Sequence, residues 1–205
     1  MAGHIGGSLY WKPIQKKDAR MKSIKLSKLA GSLSLVLALA GTATAAGAAE
    51  VNTPAAAASA TQKVSLLNGD FAFNLQGYQQ QPMPGGAPGK MYVSQAEKRV
   101  IILGEDNVPV VARGGTDADF LNGMKSIKDK QKQASPDYKV ISEKTEKVKG
   151  LDVYHIEATD KMDGKGVQQA TLLSTADNKF VVIQVLSGAS DKTGHAAAVN
   201  SILGK

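Results

Sequence analysis

The chain has 205 residues, room for one domain with an extension, and its 25 Lys and Arg against 18 Asp and Glu give a net charge of +7. It has no cysteine, which excludes disulfides, thiolate metal sites, a cysteine nucleophile and a lipid on an N-terminal cysteine. The positive excess is local, because seven of the Lys and Arg and one acid, Asp18, precede residue 49 and leave 18 cations against 17 anions. Nucleic-acid binding draws on clustered cations, so no nucleic-acid partner is expected of the nearly neutral remainder.

Residues 1–20 read as an upstream extension, with Met21 the better start. Lys22, Lys25 and Lys28 form a positive segment, and Leu29–Ala40 is a short apolar run. Ala43-Thr44-Ala45 and Ala46-Gly47-Ala48 both fit the small-residue pattern of a cleavage site. Residues 21–48 therefore read as a cleavable signal peptide, cut after Ala48 or Ala45. The apolar run falls short of the roughly 20 residues of a spanning helix, and a periplasmic location is expected, without a lipid anchor. Residues 49–62 are small, with one proline, and read as a flexible leader.

The domain proper is expected over residues 63–205. Val64–Leu67 is an apolar strand followed by Asn68-Gly69, a pair suited to a tight turn because both residues tolerate positive φ. Phe71, Phe73 and Leu75 then alternate with Ala72 and Asn74, as in a half-buried strand. Gln76–Gly89 is rich in Pro and Gly and reads as a long loop. Such loops are either disordered, the commoner case, or functional. Lys90–Val93 and Arg99–Gly104 are further strands. Thr116–Gln133 reads as one helix, capped by Thr116 with Asp117 and Asp119 in its first turn. Phe120, Leu121, Met124, Ile127 and Gln131 mark its packed face, and Ser135-Pro136 ends it. Four strands follow nearly end to end, over 138–148, 151–159, 167–175 and 179–187. Their turns are Lys149-Gly150, Asp163-Gly164 and Asp177-Asn178. Asp191–Leu203 closes the chain as a helix anchored by Val199, Ile202 and Leu203. Antiparallel hairpins with helices at intervals predict an α+β fold, an antiparallel β-sheet flanked by helices.

Val64–Leu75 (VSLLNGDFAFNL) resembles the opening hairpin of DcrB-like proteins, and Val100–Asp106 (VIILGED) resembles their next core strand. The helix, meander and terminal helix follow in that family's order, so the resemblance covers roughly Lys63–Leu203. It implies the Mog1/PsbP-like α-β-α sandwich and a bacterial cell-envelope protein. The lipid anchor of the enteric relative cannot form here, since there is no cysteine.

The candidate functional residues are few. His155 and Glu157 lie two apart on a strand and share one face. If Tyr154 and Ile156 face the core, the pair stands on a solvated outer face, where an acid–base or metal pair is conceivable. His195 in the terminal helix has no second histidine with which to build a zinc motif. Asp160–Gly164 has Met162 where a calcium loop needs an oxygen and reads as a hairpin turn. Gly188-Ala189-Ser190 lacks the closing glycine of a nucleophile elbow, and Ser190 is a candidate helix cap. Gly114-Gly115 precedes a helix whose first-turn acids would repel an anion. Lys125, Lys128, Lys130, Lys132 and Lys139, diluted by Asp129 and Asp137, allow at most a peripheral contact with anionic lipid.

No catalytic residue, metal site or cofactor is expected. The leading expectation is a binding or adaptor protein of the cell envelope with a protein partner. Its recognition surface is placed on the sheet edge and the loop, with Gln76, Tyr78, Pro82, Met83, Pro84 and Pro88 as contact residues. A periplasmic hydrolase with a minimal site at His155 and Glu157, and a chaperone for apolar segments, are the alternatives. The oligomeric state stays open.

Overall fold

The computed structural model describes residues 61–205. The extension, the signal peptide and most of the leader lie outside the described residues. The first strand takes up the last two leader residues: β1 is Thr61–Leu66. It pairs with β2 (Phe71–Gln76) in a two-stranded hairpin. The turn is a single 3-10 turn, Leu67–Gly69, with Asn68 at φ 57°, the conformation expected of that pair.

The main sheet has seven antiparallel strands. They are β3 (Gln79–Gln81), β4 (Lys90–Ser94), β5 (Arg99–Asn107), β6 (Lys139–Val148), β7 (Leu151–Met162), β8 (Lys165–Ala176) and β9 (Lys179–Gly188). Their order across the sheet is β3-β4-β5-β9-β8-β7-β6. The meander builds β6 to β9 from tight turns. β9 then pairs with β5, so the strands before and after the helical segment join in one sheet.

The expected helix over 116–133 is two. α1 (Asp117–Met124) carries the cap as predicted, with Thr116 and Asp119 bonded reciprocally. It ends in a tightened turn in which the Lys125 amide donates to the Asn122 carbonyl and the Ser126 hydroxyl to that of Gly123. Gly123 is a poor helix former, and the side chain of Ser126 competes for a main-chain carbonyl. α2 (Ile127–Ala134) follows at once. α3 (Lys192–Leu203) is capped by Asp191, whose carboxylate accepts from the Gly194 amide, and not by Ser190.

Both faces of the sheet are covered, because odd and even strand positions are both apolar in its centre. One face carries Ile101, Leu103, Val153, Leu172, Ile183 and Val185, and packs against Phe71, Phe73 and Leu75 of the hairpin and Val199, Ile202 and Leu203 of α3. The other packs Tyr154, Ile156, Leu173 and Phe180 against Leu121 and Met124 of α1. Beyond them, Met91, Val100, Ile102 and Leu186 receive Met83 from the loop. Burying two faces of a seven-stranded sheet supplies the apolar area on which stability rests. Among the described residues no helix is long and apolar enough to cross a membrane.

Candidate functional site

A chain of polar side chains crosses the sheet beneath α3. Strand alternation places its members: Arg99, Glu157 and Ser187 share the inner face with Ile101, Val153 and Val185. Arg99 is 4% exposed. Its Nε donates to Ser187 Oγ at 3.0 Å, one Nη to the Tyr78 hydroxyl at 3.3 Å, and the other to Asp191 at 2.7 Å. It also pairs with Glu97. Burial opposes the charge of Arg99, but the bonds to Tyr78 and Asp191 outweigh it and raise its pKa. Tyr78 is pushed up to about 12, chiefly by burial.

The chain continues through Ser187. His195 Nδ1 lies 3.0 Å from Ser187 Oγ, and His195 Nε2 lies 3.2 Å from Glu157 Oε2. The other Glu157 oxygen is 2.6 Å from His155 Nε2, and His155 Nδ1 is 3.2 Å from Glu146 Oε1. Glu146 also accepts from Lys205 at the end of the chain. Burial alone would raise the pKa of both carboxyls. The hydrogen bonds from His155 and His195 overcome this at Glu157, and those from Lys205, His155 and Lys144 at Glu146, so both are held at about 2.

His155 and Glu157 do share a face, as their spacing requires. That face is not solvated: His155 is 7% exposed and His195 3%, because α3 and the hairpin cover it. Tyr154 and Ile156 face a second core, under α1. Ser187, His195 and Glu157 follow the order of a nucleophile, base and acid, but Ser187 is 3% exposed and already accepts a bond from Arg99. Among the described residues no group of three or more His, Asp and Glu is placed to hold a metal ion.

The loop expected over 76–89 is more ordered than its composition suggests. Gln76 belongs to β2, Gln79–Gln81 forms the edge strand β3, and Pro84–Gly86 is a 3-10 turn. Tyr78, expected at the surface of the loop, is buried at 5%, and its hydroxyl joins the polar chain through Arg99 and Glu97. Pro82, Pro84 and Pro88 are exposed, and Met83 is half-buried against the apolar cluster. Two members of the lysine cluster have partners within the chain: Lys128 pairs with Glu143, and Lys125 sits over the Tyr154 ring. Sequence reasoning missed Arg99, Ser187 and Glu146. The signal for Arg99 was present, since it shares the strand period of Ile101 and Leu103. It also missed an exposed apolar pair, Val110 and Val111, at 75% and 84%.

No protein-family model matches the chain, and no curated protein does. Solved structures do. Cyanobacterial PsbP (CyanoP) from Synechocystis is 15% identical with a TM-score of 0.51, over 78% of this chain and 95% of that one. The Ran-binding protein Mog1p of Saccharomyces cerevisiae is 13% identical at a TM-score of 0.44, over 70% and 85%. LpqN of Mycobacterium tuberculosis, described as involved in cell envelope biogenesis, is 13% identical at 0.39, over 72% and 83%. The chain has an α+β fold of the Mog1/PsbP-like type.

Proposed function

We propose that this chain is an exported, DcrB-like protein of the cell envelope that acts by binding a partner protein rather than by catalysis. One observation carries the reading. Ser187, His155 and His195 are buried beneath α3 and bonded within one polar chain that also engages Glu157, whose side chain is 28% exposed, whereas Pro84–Gly86 is exposed at the tip of a loop anchored by Met83. Buried networks of this kind specify a packing, and exposed loops on rigid scaffolds carry recognition. The basic and apolar segments of residues 21–48, followed by small residues, support export. The resemblance of Val64–Leu75 and Val100–Asp106 to DcrB-like proteins supports the envelope role.

The test is cross-linking in intact cells with a C-terminal tag, comparing the native chain with one lacking Pro84–Gly86. That deletion removes the exposed tip and leaves Met83 and Gly89 in place. The expected result is one recurrent envelope partner, captured by the native chain and lost from the variant at equal export and unchanged unfolding midpoint. Capture that survives the deletion overturns the assignment of the loop. Hydrolysis of an envelope substrate that Ser187→Ala or His155→Ala abolishes overturns the non-catalytic reading.

A further inference from the structure

β6 is the last strand of the sheet, and among the described residues it pairs with β7 alone. Its ten residues are almost all exposed, and its outer side presents unpaired main-chain groups, a template for another strand. The opposite edge, β3, has three residues. The chain enters the domain near that opposite edge, where the Gln62 side chain donates to the Tyr78 carbonyl.

The regular part of β6 is bounded on both sides. A bulge at Ile141 interrupts its register between Val140 and Ser142, and bulges end pairing on an edge. Lys149-Gly150 turns the chain at the other end. Ser142–Val148 remains, with Thr145 at its midpoint. In an antiparallel pair the groups that point to one side fall on alternate residues. Two copies of one strand therefore match only when facing residues share parity, which places the two-fold axis on a residue and never between two.

The charges choose the residue. With Glu143, Lys144, Glu146 or Lys147 on the axis, a charge faces its own copy, and with Val148 there Lys147 faces Lys149 of the second copy. With Ser142 there, the bulge runs into the pairing. With Thr145 there, Lys144 faces Glu146 of the second copy and Glu143 faces Lys147, each twice by symmetry. Opposite charges facing across strands stabilise the pair, as does threonine against threonine. Edge lysines ordinarily repel association; here they reject every register but one. The side chains of Glu143, Lys144 and Lys147 are 40%, 57% and 70% exposed and that of Glu146 is 16% exposed. Each already has a partner within its own chain, Lys128 for Glu143, Lys205, His155 and Lys144 for Glu146, and Asp152 for Lys147, so the charges of the second copy extend existing pairs.

We propose that this edge is a self-association surface: two copies pair antiparallel through Ser142–Val148, with Thr145 on the two-fold axis, and continue the sheet from one subunit into the next. The interface is isologous, so it closes at a dimer. Its small area makes it weak and dependent on concentration, and its charge pairs make it sensitive to salt. The surface is distinct from the loop assigned to partner binding and leaves that edge open.

The absence of cysteine makes the test direct. Thr145→Cys introduces a single thiol whose Cα would sit about 4.5–5.5 Å from its symmetry mate, within the span of a disulfide. Lys147→Cys lies on the same exposed strand, but its mate lies four residues along, roughly 13 Å away, beyond reach of a disulfide. On mild oxidation of the purified protein, Thr145→Cys should form a covalent dimer at least about tenfold faster than Lys147→Cys; equal rates overturn the register. By sedimentation equilibrium, Lys147→Glu should weaken the dimer by about tenfold, and Glu143→Lys with Lys147→Glu should restore it, which a folding defect would not allow. A monomer at every concentration up to about 1 mM, or a dimer indifferent to both substitutions, overturns the surface itself.

Discussion

His195 Nε2 stands 3.2 Å from Glu157 Oε2, so α3 is tied to β7 through the polar chain that crosses this face of the sheet. His155 closes on the same carboxylate from its own strand at 2.6 Å. One carboxylate therefore joins a helix to a strand that lies far from it in sequence.

That carboxylate makes stability depend on pH. The folded pKa of Glu157 is about 2 against 4.5 for the ordinary group. The folded state thus resists protonation, and the contribution is complete above pH 4.5 and is lost as the pH falls from there to about 2. Glu146, also held at about 2, loses its contribution over the same window. Each tenfold difference in proton affinity between the folded and unfolded chain is worth about 1.4 kcal/mol, so Glu157 contributes at most about 3 kcal/mol. Glu157→Gln should cost about 2–3 kcal/mol at neutral pH and flatten the acid limb. Urea denaturation of both proteins near neutral pH and in acid checks this; an unchanged acid limb would mean that another group titrates there.

Arg99 holds four elements together at one point. It joins the residue before β3 (Tyr78), the β4–β5 turn (Glu97), β9 (Ser187) and the cap of α3 (Asp191). Arg99→Lys keeps the charge and loses the planar fork that reaches several partners at once. Breaking a fully buried pair costs about 3–5 kcal/mol, and the outer partners Glu97 and Asp191 are 46% and 42% exposed. About 2–3 kcal/mol is therefore the expected loss. Equilibrium unfolding measures it, and amide exchange should show α3 and β3 opening together.

The parts of this molecule that are legible in its sequence are those with local causes. Asn68-Gly69 makes its turn because both residues tolerate positive φ, and Phe71, Phe73 and Leu75 alternate because one face of the hairpin is buried. Thr116 and Asp119 form the cap that their spacing encodes. The break after Met124 is hidden because the apolar positions continue to Ile127 in phase, and the interruption comes from weak helix formers at Gly123 and Ser126. Tyr78 reads as part of a solvent loop because Pro and Gly dominate its neighbours; its burial follows from Arg99, a residue far along the chain.

His155 and Glu157 illustrate the same limit at the candidate site. Their common face follows from the strand period. Its burial depends on α3, which begins at Lys192, and no local pattern announces which face a distant helix will cover. The burial of Tyr154 and Ile156 is legible in the strand, but it does not imply a wet opposite face. A sheet covered on both sides breaks that inference, and the apolar character of both odd and even positions in β9 is the available warning.

Gly194 reverses a familiar rule. Alanine ordinarily stabilises a helix over glycine by about 1 kcal/mol. A Cβ at Gly194 would stand 2.5 Å from Arg99 Nη2 and from Asp191 Oδ1, between the two groups that lock α3 to the sheet. Gly194→Ala should therefore destabilise the protein by about 1–2 kcal/mol. A gain in thermal midpoint would mean that Arg99 moves aside at little cost.

The loop after β3 divides at Gly89 into a base that belongs to the scaffold and a tip that does not. Gly89 has φ +118°, and a Cβ there would meet the Leu103 carbonyl oxygen at 2.6 Å, so both conformation and close approach demand glycine. Gly85, in the tip, has φ +65° and nothing within 4 Å. Gly89→Ala should cost about 3 kcal/mol or more, from strain added to a main-chain clash, and loosen the pairing of β4 with β5. Gly85→Ala should cost only about 1 kcal/mol, the penalty of a left-handed alanine. Thermal unfolding of the two variants separates the parts. If Gly85→Ala proved as costly as Gly89→Ala, the tip would be part of the packed structure, and its assignment as a recognition surface would lose its physical basis.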